Sequence, residues 1–516
     1  MSLTPVLTPE QAATWDAAAE ASGRPLAVLM DAAGRAVAQL LTERFGHAAR
    51  QGVLVACGGG NNGGDGWVAA RSLHALGVPV WVTETTAPAP GIAADARHVA
   101  QTEGVRTVPP DGPWPTLGVI VDAILGTGAH GPLRGPILPL LTRLIDLELP
   151  IVSVDGPTGL DLETGLPHGP LMATLTVTFG GVRRGQLLAR DEVGEVVVVD
   201  IGLGDADSSL PGLIDRGWAA ERLRGLAARS HKGMRGRVVI VGGDVAMIGA
   251  ARLTARAAFA GGAGLVHVVA PEESLAVLRT AEPDVQCSTQ AFALPLTGHA
   301  VALIKSADVV VIGPGLGRAP ERTPFVLEVL SHAQAAVIDA DALVALKGEV
   351  PALAALAAAR TFAITPHLGE FRTLFPDLAD DLETAPWEAA RDAALASGCT
   401  VLLKGVPTVV ACAGQPLLTV AAGNPGLATG GSGDVLSGIL GALMGQGIVL
   451  PDAAAMAAEA LGEAADHAAR RTTARAMRPM DVVEALPDVW RAWARVQDAE
   501  SPHAPVLRTL VAPRSV

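Results

Sequence analysis

Cysteine is scarce, with Cys57, Cys287, Cys399 and Cys412 the only four in a chain of 516 residues. Their spacing forms no CxxC pair and no metal-ligand cluster. That argues against a disulfide scaffold or a thiolate zinc site and leaves buried free thiols in a reducing compartment as the expectation. Charge is scarce too, at 17% of residues, and biased to the acidic side, with a formal net charge of -14. This balance argues against nucleic acid as the main partner but not against phosphorylated ligands, which local backbone dipoles can bind. No uninterrupted apolar run reaches the ~20 residues of a membrane span. No basic residue precedes Arg24, and no apolar stretch of the signal-peptide kind opens the chain. A cytoplasmic protein with no membrane partner is expected. GxxxxGK[ST] is also absent, which excludes a P-loop as the way any nucleotide would be bound. What remains is apolar: hydrophobic residues make up 49%, which marks a globular chain with a real core. At ~150 residues per domain the length predicts two to four domains, or two if they are large α/β units.

The stretch around which the chain is organised is Gly423 to Gly447, GNPGLATGGSGDVLSGILGALMGQG. Thr429 to Asp434 are small or turn-forming residues that lead into an apolar run of helix length, Val435 to Met444. A loop that opens a helix this way offers unpaired N–H groups and the positive end of the helix dipole to an anion. A carboxylate beside such a site is repelled by the anion, so Asp434 needs a use. One use is as a general base that takes a proton from a hydroxyl attacking a held phosphoryl group; the other is as a helix N-cap. Gly426, Gly430, Gly431 and Gly433 exceed what capping requires, and close backbone approach to a ligand accounts for them.

Thr8-Pro9-Glu10-Gln11 is a capping box that predicts a helix to about Ser22, and a second helical pattern covers Leu26 to Phe45. From Val53 short β-branched runs alternate with helical patterns: Val53 to Cys57, Val78 to Thr83, Val119 to Leu125, Ile151 to Val154, Leu175 to Phe179 and Val196 to Ile201. Such runs belong to a parallel sheet covered on both faces, whose ligands bind beyond the carboxyl ends of the strands. The loop after the first strand, Gly58 to Gly66, contains GxGxxG and is expected to lead into a helix from Trp67, with Glu84 ending the next strand. This is the pattern of a dinucleotide-binding fold, and an NAD-dependent dehydrogenase must be weighed. Against it, Asp65 falls where the pyrophosphate would lie, and the second GxGxxG, Gly126 to Gly131, runs into Pro132. Asn62, Asp122 and Thr158 offer hard oxygen ligands at the ends of different strands, suited to a cation. Asp155 also ends a buried strand, where an acid must be used or paired.

GGGNNGGDG, VDAILGTGAHGP and VDGPTGLD together resemble the NAD(P)HX epimerase domain of the bifunctional NAD(P)H-hydrate repair enzymes, over roughly residues 8 to 204. The resemblance implies a Rossmann-like three-layer sandwich. It implies contacts to hydrated NADH or NADPH from Asn61, Asn62, Gly63, Gly64 and Asp65, from Gly126, Thr127, Gly128, Ala129, His130, Gly131 and Pro132, and from Asp155. It further implies a potassium ion on Asn62, Asp122 and Thr158. Gly156 and Thr158 stand where the family usually has an aliphatic residue and serine, and threonine keeps the hydroxyl. Asp65 and Asp155 are both candidates for handling the proton.

Between Gly202 and Arg229 the strand pattern stops and a linker is expected. Strand patterns then resume: Arg237 to Val241, Leu265 to Val269, Asp308 to Ile312, Ala336 to Ile338, Phe362 to Ile364, Val401 to Leu403 and Thr408 to Ala411. The segments HKGMRGRVVIVGG, VVVIGPGLGR, IDADAL, ITPHLGEF, LLKGVPTVV and GNPGLATGGSGDVLSG occur in the order found in the ADP- or ATP-dependent NAD(P)HX dehydratases, which are ribokinase-like α/β proteins. By that resemblance Lys404, Gly405, Val406, Pro407, Thr408 and Gly433 bind the adenine nucleotide. Ala250, the loop of Gly315 and Gly317, His367 and Asp434 bind the hydrated cofactor, and a magnesium ion assists. Leu368 replaces the family's usual proline, and Met247 stands where many relatives have an aromatic residue.

The organisation expected is an epimerase domain over 1–210, a dehydratase domain over 225–490 and a poorly ordered tail over 491–516. Both small-molecule substrates, NADHX and NADPHX, are expected, together with ADP or ATP, and the chain is expected to form a homo-oligomer. The rival readings are a ribokinase-like small-molecule kinase whose N-terminal domain binds nucleotide without catalysis, and the dehydrogenase above.

Overall fold

The computed structural model describes residues 3–226, 228–498 and 507–510. The chain divides into two compact units, one running Thr4–Leu210 and the other beginning at Pro211.

In the first unit the sheet order runs Glu195–Val199, Leu175–Phe179, Ile151–Val154, Val119–Ala123, Val53–Cys57, Val80–Glu84 and Arg106–Thr107, with every neighbouring pair parallel. The central strands are buried along their whole length, and helices on both faces complete three layers. The Thr8 capping box forms as read: the Thr8 N–H donates to Gln11 Oε1 at 2.9 Å and the Gln11 N–H to Thr8 Oγ1 at 3.2 Å.

The helix after the first strand is longer than its sequence suggested. It spans Asn61–Ala75, so Asn61 to Gly66 form its first turns, and Asp65 lies inside it instead of at its start. Glycine lowers helix propensity, but here it lets the helix lie against the sheet. A Cβ on Gly63 would meet the Gly58 carbonyl oxygen at 1.9 Å, and one on Gly66 would meet the Ala123 side chain at 2.6 Å.

In the second unit the sheet order is Gln286–Thr289, Leu265–Ala270, Arg237–Val241, Val309–Ile312, Ala335–Ile338, Thr361–Ile364, Thr400–Leu403, Thr408–Ala411, Leu418–Val420 and Gly212–Leu213. It is parallel as far as Thr400–Leu403, which then pairs antiparallel with Thr408–Ala411 as a hairpin. The edge strand Gln286–Thr289, the strand Leu418–Val420 and the short strand Gly212–Leu213 escaped sequence reading, being brief and partly polar. Because Gly212 and Leu213 pair with Leu418 and Thr419, this unit begins before the expected residue 225.

The C-terminal expectation also needs correction. The last helix runs Pro479–Asp498, through the start of the expected tail, and holds Trp493 fully buried. Beyond it, Leu507–Leu510 forms a strand antiparallel to Glu195–Val199 of the first unit's sheet. The remaining tail positions lie outside the described residues.

Candidate functional sites

In the first unit a cavity of about 900 Å³ opens beyond the carboxyl ends of the strands. Asn61, Asn62, Asp65, Gly126, Thr127, Gly128, Ala129, His130 and Asp155 all line it, and so do Asp16, Thr85, Thr86 and Arg183. Gly63 and Gly64 are buried in the helix behind the wall. Gly131 and Pro132 are not among the lining residues, though Gly131 has the positive φ of 72° that turns this loop.

Asp155 ends its strand in the left-handed region, with φ 62°. A non-glycine residue there is uncommon and strained, and the surroundings hold it. Its Oδ1 accepts from Thr178 Oγ1 at 3.0 Å and faces the Arg183 guanidinium at 3.1 Å. Its Oδ2 accepts from the Thr127 N–H at 3.2 Å and from the Thr127 hydroxyl. Its carbonyl accepts from Gln186 Nε2 at 2.5 Å. Asp155 is thus a fixed carboxylate that joins the Gly126 loop to the strand end. Asp65 is in the opposite condition. Burial, then the like charges of Asp155 and Asp16, push its pKa well above the carboxylate range. Asp16 is raised as well, by burial and by Asp155, with Arg183 opposing.

Asp122 and Thr158 lie under the cavity floor. Asp122 is fully buried and accepts from the Thr158 hydroxyl at 2.6 Å, the Thr158 N–H at 2.7 Å and Ser153 Oγ at 3.2 Å. Burial still outweighs those bonds and raises its pKa. The Leu125 N–H donates to Thr158 Oγ1 at 3.0 Å, and a Cβ on neighbouring Gly126 would meet Asn62 Oδ1 at 3.0 Å. The three proposed cation ligands therefore converge on the Leu125–Gly126 corner. Both polar atoms of the Asn62 side chain are buried there without a hydrogen-bond partner.

In the second unit the organising helix spans Ser432–Gly445, and its N-cap is Gly431, at φ 104° with no side-chain cap. The capping use of Asp434 is thereby excluded: Asp434 lies within the helix's first turn. Burial pushes its pKa up to about 7, with Asp339 raising it further and Lys404 opposing. Gly430 has open space where a Cβ would be, and Gly431 carries the turn.

Below the helix start lies a network that sequence reading only half found. Lys404 Nζ donates to Asp339 Oδ1 at 2.8 Å and stands 3.6 Å from Glu370 Oε2. Ser437 Oγ donates to Asp339 Oδ2 at 2.7 Å. Burial opposes charge on both members of the pair, yet the partners prevail: Asp339 is lowered by Lys404, Ser437 and Thr365, and Lys404 is raised by Asp339 and Glu370. A Cβ on Gly433 would stand 3.3 Å from Lys404 Nζ and 3.5 Å from Asp339 Oδ2, so this glycine brings the helix start onto the ion pair. Replacing Lys404 by methionine strands the Asp339 carboxylate, and losing one partner of a buried pair costs about 3–5 kcal/mol. Lys404→Met should lower the thermal midpoint, and adding Asp339→Asn should restore part of the loss.

His367 is neither a core histidine nor a buried ligand. It is exposed and caps the helix Leu368–Leu374, with Nδ1 accepting from the Gly369 and Glu370 N–H groups at 3.0 and 3.2 Å. Its Nε2 edge is left towards Glu370, 3.4 Å away. The Gly313 loop is tied in from the other side: the Gly317 N–H donates to Asp341 Oδ2 at 2.9 Å, and a Cβ on Gly315 would meet the Ala250 Cβ at 3.2 Å. Gly405, Val406, Pro407 and Thr408 form the hairpin tip beside Lys404, where Val406 is 66% exposed. Glu370 and Ser437 carry the network without having been singled out, and Asp339 stood out only within the strand-end segment IDADAL. The acids after apolar strands were the available signal, and Ser437 gave none.

The second site has the parts of a phosphoryl-transfer enzyme: a helix N-terminus opened by glycine, a part-buried cation and a carboxylate left titratable near neutrality. The first has the parts of an acid–base site. Comparison with known proteins agrees with both. Residues 26–185 match the family model of the YjeF-related protein N-terminus, and residues 238–488 match that of NAD(P)H-hydrate dehydratase. The bifunctional NAD(P)H-hydrate repair enzyme of Escherichia coli (strain K12) is 38% identical over 91% of this chain and 90% of its own length. That of Moorella thermoacetica is 35% identical over 90% and 93%. Among solved structures, the ADP/ATP-dependent NAD(P)H-hydrate dehydratase of Bacillus subtilis, co-crystallised with ATP/Mg2+, is 24% identical, covering 54% of this chain and 97% of its own, at a TM-score of 0.48. The chain belongs to the bifunctional NAD(P)H-hydrate repair enzymes. These matches do not favour the small-molecule kinase with a non-catalytic first domain.

Proposed function

We propose that the first unit interconverts the R and S epimers of hydrated NADH and NADPH, and that the second removes water from the S epimer at the expense of ADP or ATP. The observation that carries this reading is Asp434, unpaired in the first turn of a glycine-opened helix and titrating near neutrality beside Lys404 and Asp339. Hydroxide is a poor leaving group and phosphate a good one. Asp434 takes the proton of the substrate hydroxyl, whose oxygen attacks the terminal phosphorus. The leaving nucleotide carries the charge of the broken bond, and the N–H groups of Gly430, Gly431 and Gly433 with Lys404 meet the charge on the transferring group. The ring nitrogen then expels phosphate, and loss of a proton from the adjacent carbon restores the double bond. Magnesium would travel with the nucleotide phosphates. Product analysis tests the scheme and names the donor: ADP must yield AMP and phosphate, ATP must yield ADP and phosphate, and a stable phosphorylated product would contradict it.

In the first unit Asp65 and Asp155 are the candidates for handling the proton, and the cavity contacts are those lining it. Potassium fits the Leu125–Gly126 corner, because Asp122 is a buried carboxylate without a cation and Asn62 has two buried polar atoms without partners. Asn62, Asp122 and Thr158 would hold the ion, which supplies positive charge next to the carboxylates. Exchanging potassium for a bulky organic cation should slow epimerisation in the wild-type chain, but not in Asn62→Leu. Equal rates in both salts for the wild type would sink the site. No helix among the described residues is long and apolar enough to cross a membrane. A cytoplasmic homo-oligomer completes the proposal, and sedimentation reads the oligomeric state.

A further inference from the structure

The epimerase cavity holds more carboxylates than an acid–base pair needs, and one cation distinguishes among them. Arg183 follows the strand Leu175–Phe179 and is buried, 6% exposed. Its guanidinium is locked from below, with Nη1 donating to the Gly181 carbonyl at 2.8 Å and the Phe179 carbonyl at 3.3 Å. Nη2 faces Asp155 Oδ1 at 3.1 Å, and Nε reaches Thr127 Oγ1 at 3.5 Å. The same Thr127 donates to the other oxygen of Asp155. Arg183 therefore fixes the acid, the loop and their spacing at once. Other titratable groups around Asp155 are Glu10 and Asp16 on the helix Pro9–Ala21, Asp65 on the helix Asn61–Ala75 and His130 on the Gly126 loop, with Asp122 behind, held by Thr158. Of these acids, Asp155 is the one the Arg183 guanidinium is paired with.

We propose that Arg183 is a positioning residue of the first site: it clamps Asp155 as a fixed anion and so leaves Asp65 as the group that carries the proton. This rests on the epimerase reading. Hydrating the ring's enamine double bond places the hydroxyl on the carbon bonded to nitrogen, so the reacting group is a hemiaminal. Asp65, protonated, gives its proton to that hydroxyl. The carbon–oxygen bond breaks, water leaves, and the nitrogen lone pair forms the iminium double bond. Asp155 provides the negative charge that this cation needs. Water then adds to the opposite face and returns one proton to Asp65. Nothing is oxidised or reduced, and no proton is gained or lost. Burial and its acidic neighbours raise the Asp65 pKa, which favours the protonated form this step uses.

The test uses the full chain with Arg183→Met and Arg183→Lys, following the exchange of R and S epimers against pH by chromatography and the dehydration of the S epimer by absorbance. Arg183→Met should lower epimerisation and move the acid limb of its kcat/KM profile to higher pH, the effect of removing a cation from beside a carboxylate. Arg183→Lys should return the limb towards its wild-type position. Dehydration should be unchanged in both, showing that the second unit is intact, and the epimerisation retained by Arg183→Lys shows that the first unit folds. A wild-type profile in Arg183→Met overturns the inference. So does an equal loss in both variants with the limb unmoved, which is what a purely structural arginine gives. Absence of epimerisation in the wild-type arm overturns the parent reading and the inference with it, and that outcome is recognisable before any variant is compared.

Discussion

Asp434→Ala should abolish nucleotide-dependent recovery of NADH while the exchange of R and S epimers continues at its wild-type rate. General-base catalysis contributes about 10²–10⁴-fold, and Asp434 is the carboxylate in the first turn of the helix that would hold the phosphoryl group. Asp339 cannot replace it, because Lys404 and Ser437 already occupy both of its oxygens. Asp434→Asn should be nearly as inactive, since it keeps the shape but cannot accept the proton. The pH dependence has a definite sign. The base must be ionised to act, and its pKa is pushed up to about 7. Dehydration should therefore be full above that value and fall about tenfold per pH unit below it. A dehydration rate independent of pH between neutrality and mild acid would remove Asp434 from the base role. Loss of both activities together would break the division into independent sites.

The second large effect is expected in the other half. Asp155→Asn should lower epimerisation by about 10²-fold or more and leave dehydration of the S epimer intact. Asparagine is the informative replacement because Asp155 stands at φ 62°, a region asparagine tolerates. The backbone turn and the Gln186 bond to the residue 155 carbonyl then survive while the charge facing Arg183 is lost. Measured on substrate enriched in the R epimer, unchanged exchange would remove Asp155 from the reaction.

The parts of this molecule legible in sequence were those where backbone demands restrict residue type. The Thr8 capping box, the apolar strand Val53–Cys57 and the glycine-opened helix at Ser432 were readable because few residues satisfy each geometry. The Asn61–Gly66 turn was misread for the converse reason. Its glycines lower local helix propensity, but they let the helix pack closely against Gly58 and Ala123, a contact remote from the local pattern. His367 could not be placed from sequence, since an N-cap histidine and a core histidine look alike until the neighbouring N–H groups are located. Arg183 and Asp339 were missed or left without a role because their importance lies in pairs remote in sequence, Arg183 with Asp155 and Lys404 with Asp339. Asp434 illustrates both sides. Its loop was visible, but only the structure, by assigning the cap to Gly431, removed the alternative use.

The most direct test of the two-activity account is recovery of the reduced-nicotinamide absorbance from a mixture of R and S hydrated NADH, with ADP or ATP and magnesium supplied in separate reactions. The account predicts full recovery with at least one nucleotide, beyond the S fraction, with Asp155→Asn stopping at that fraction. Wild-type recovery that halts at the S fraction, or none with either nucleotide, would contradict it.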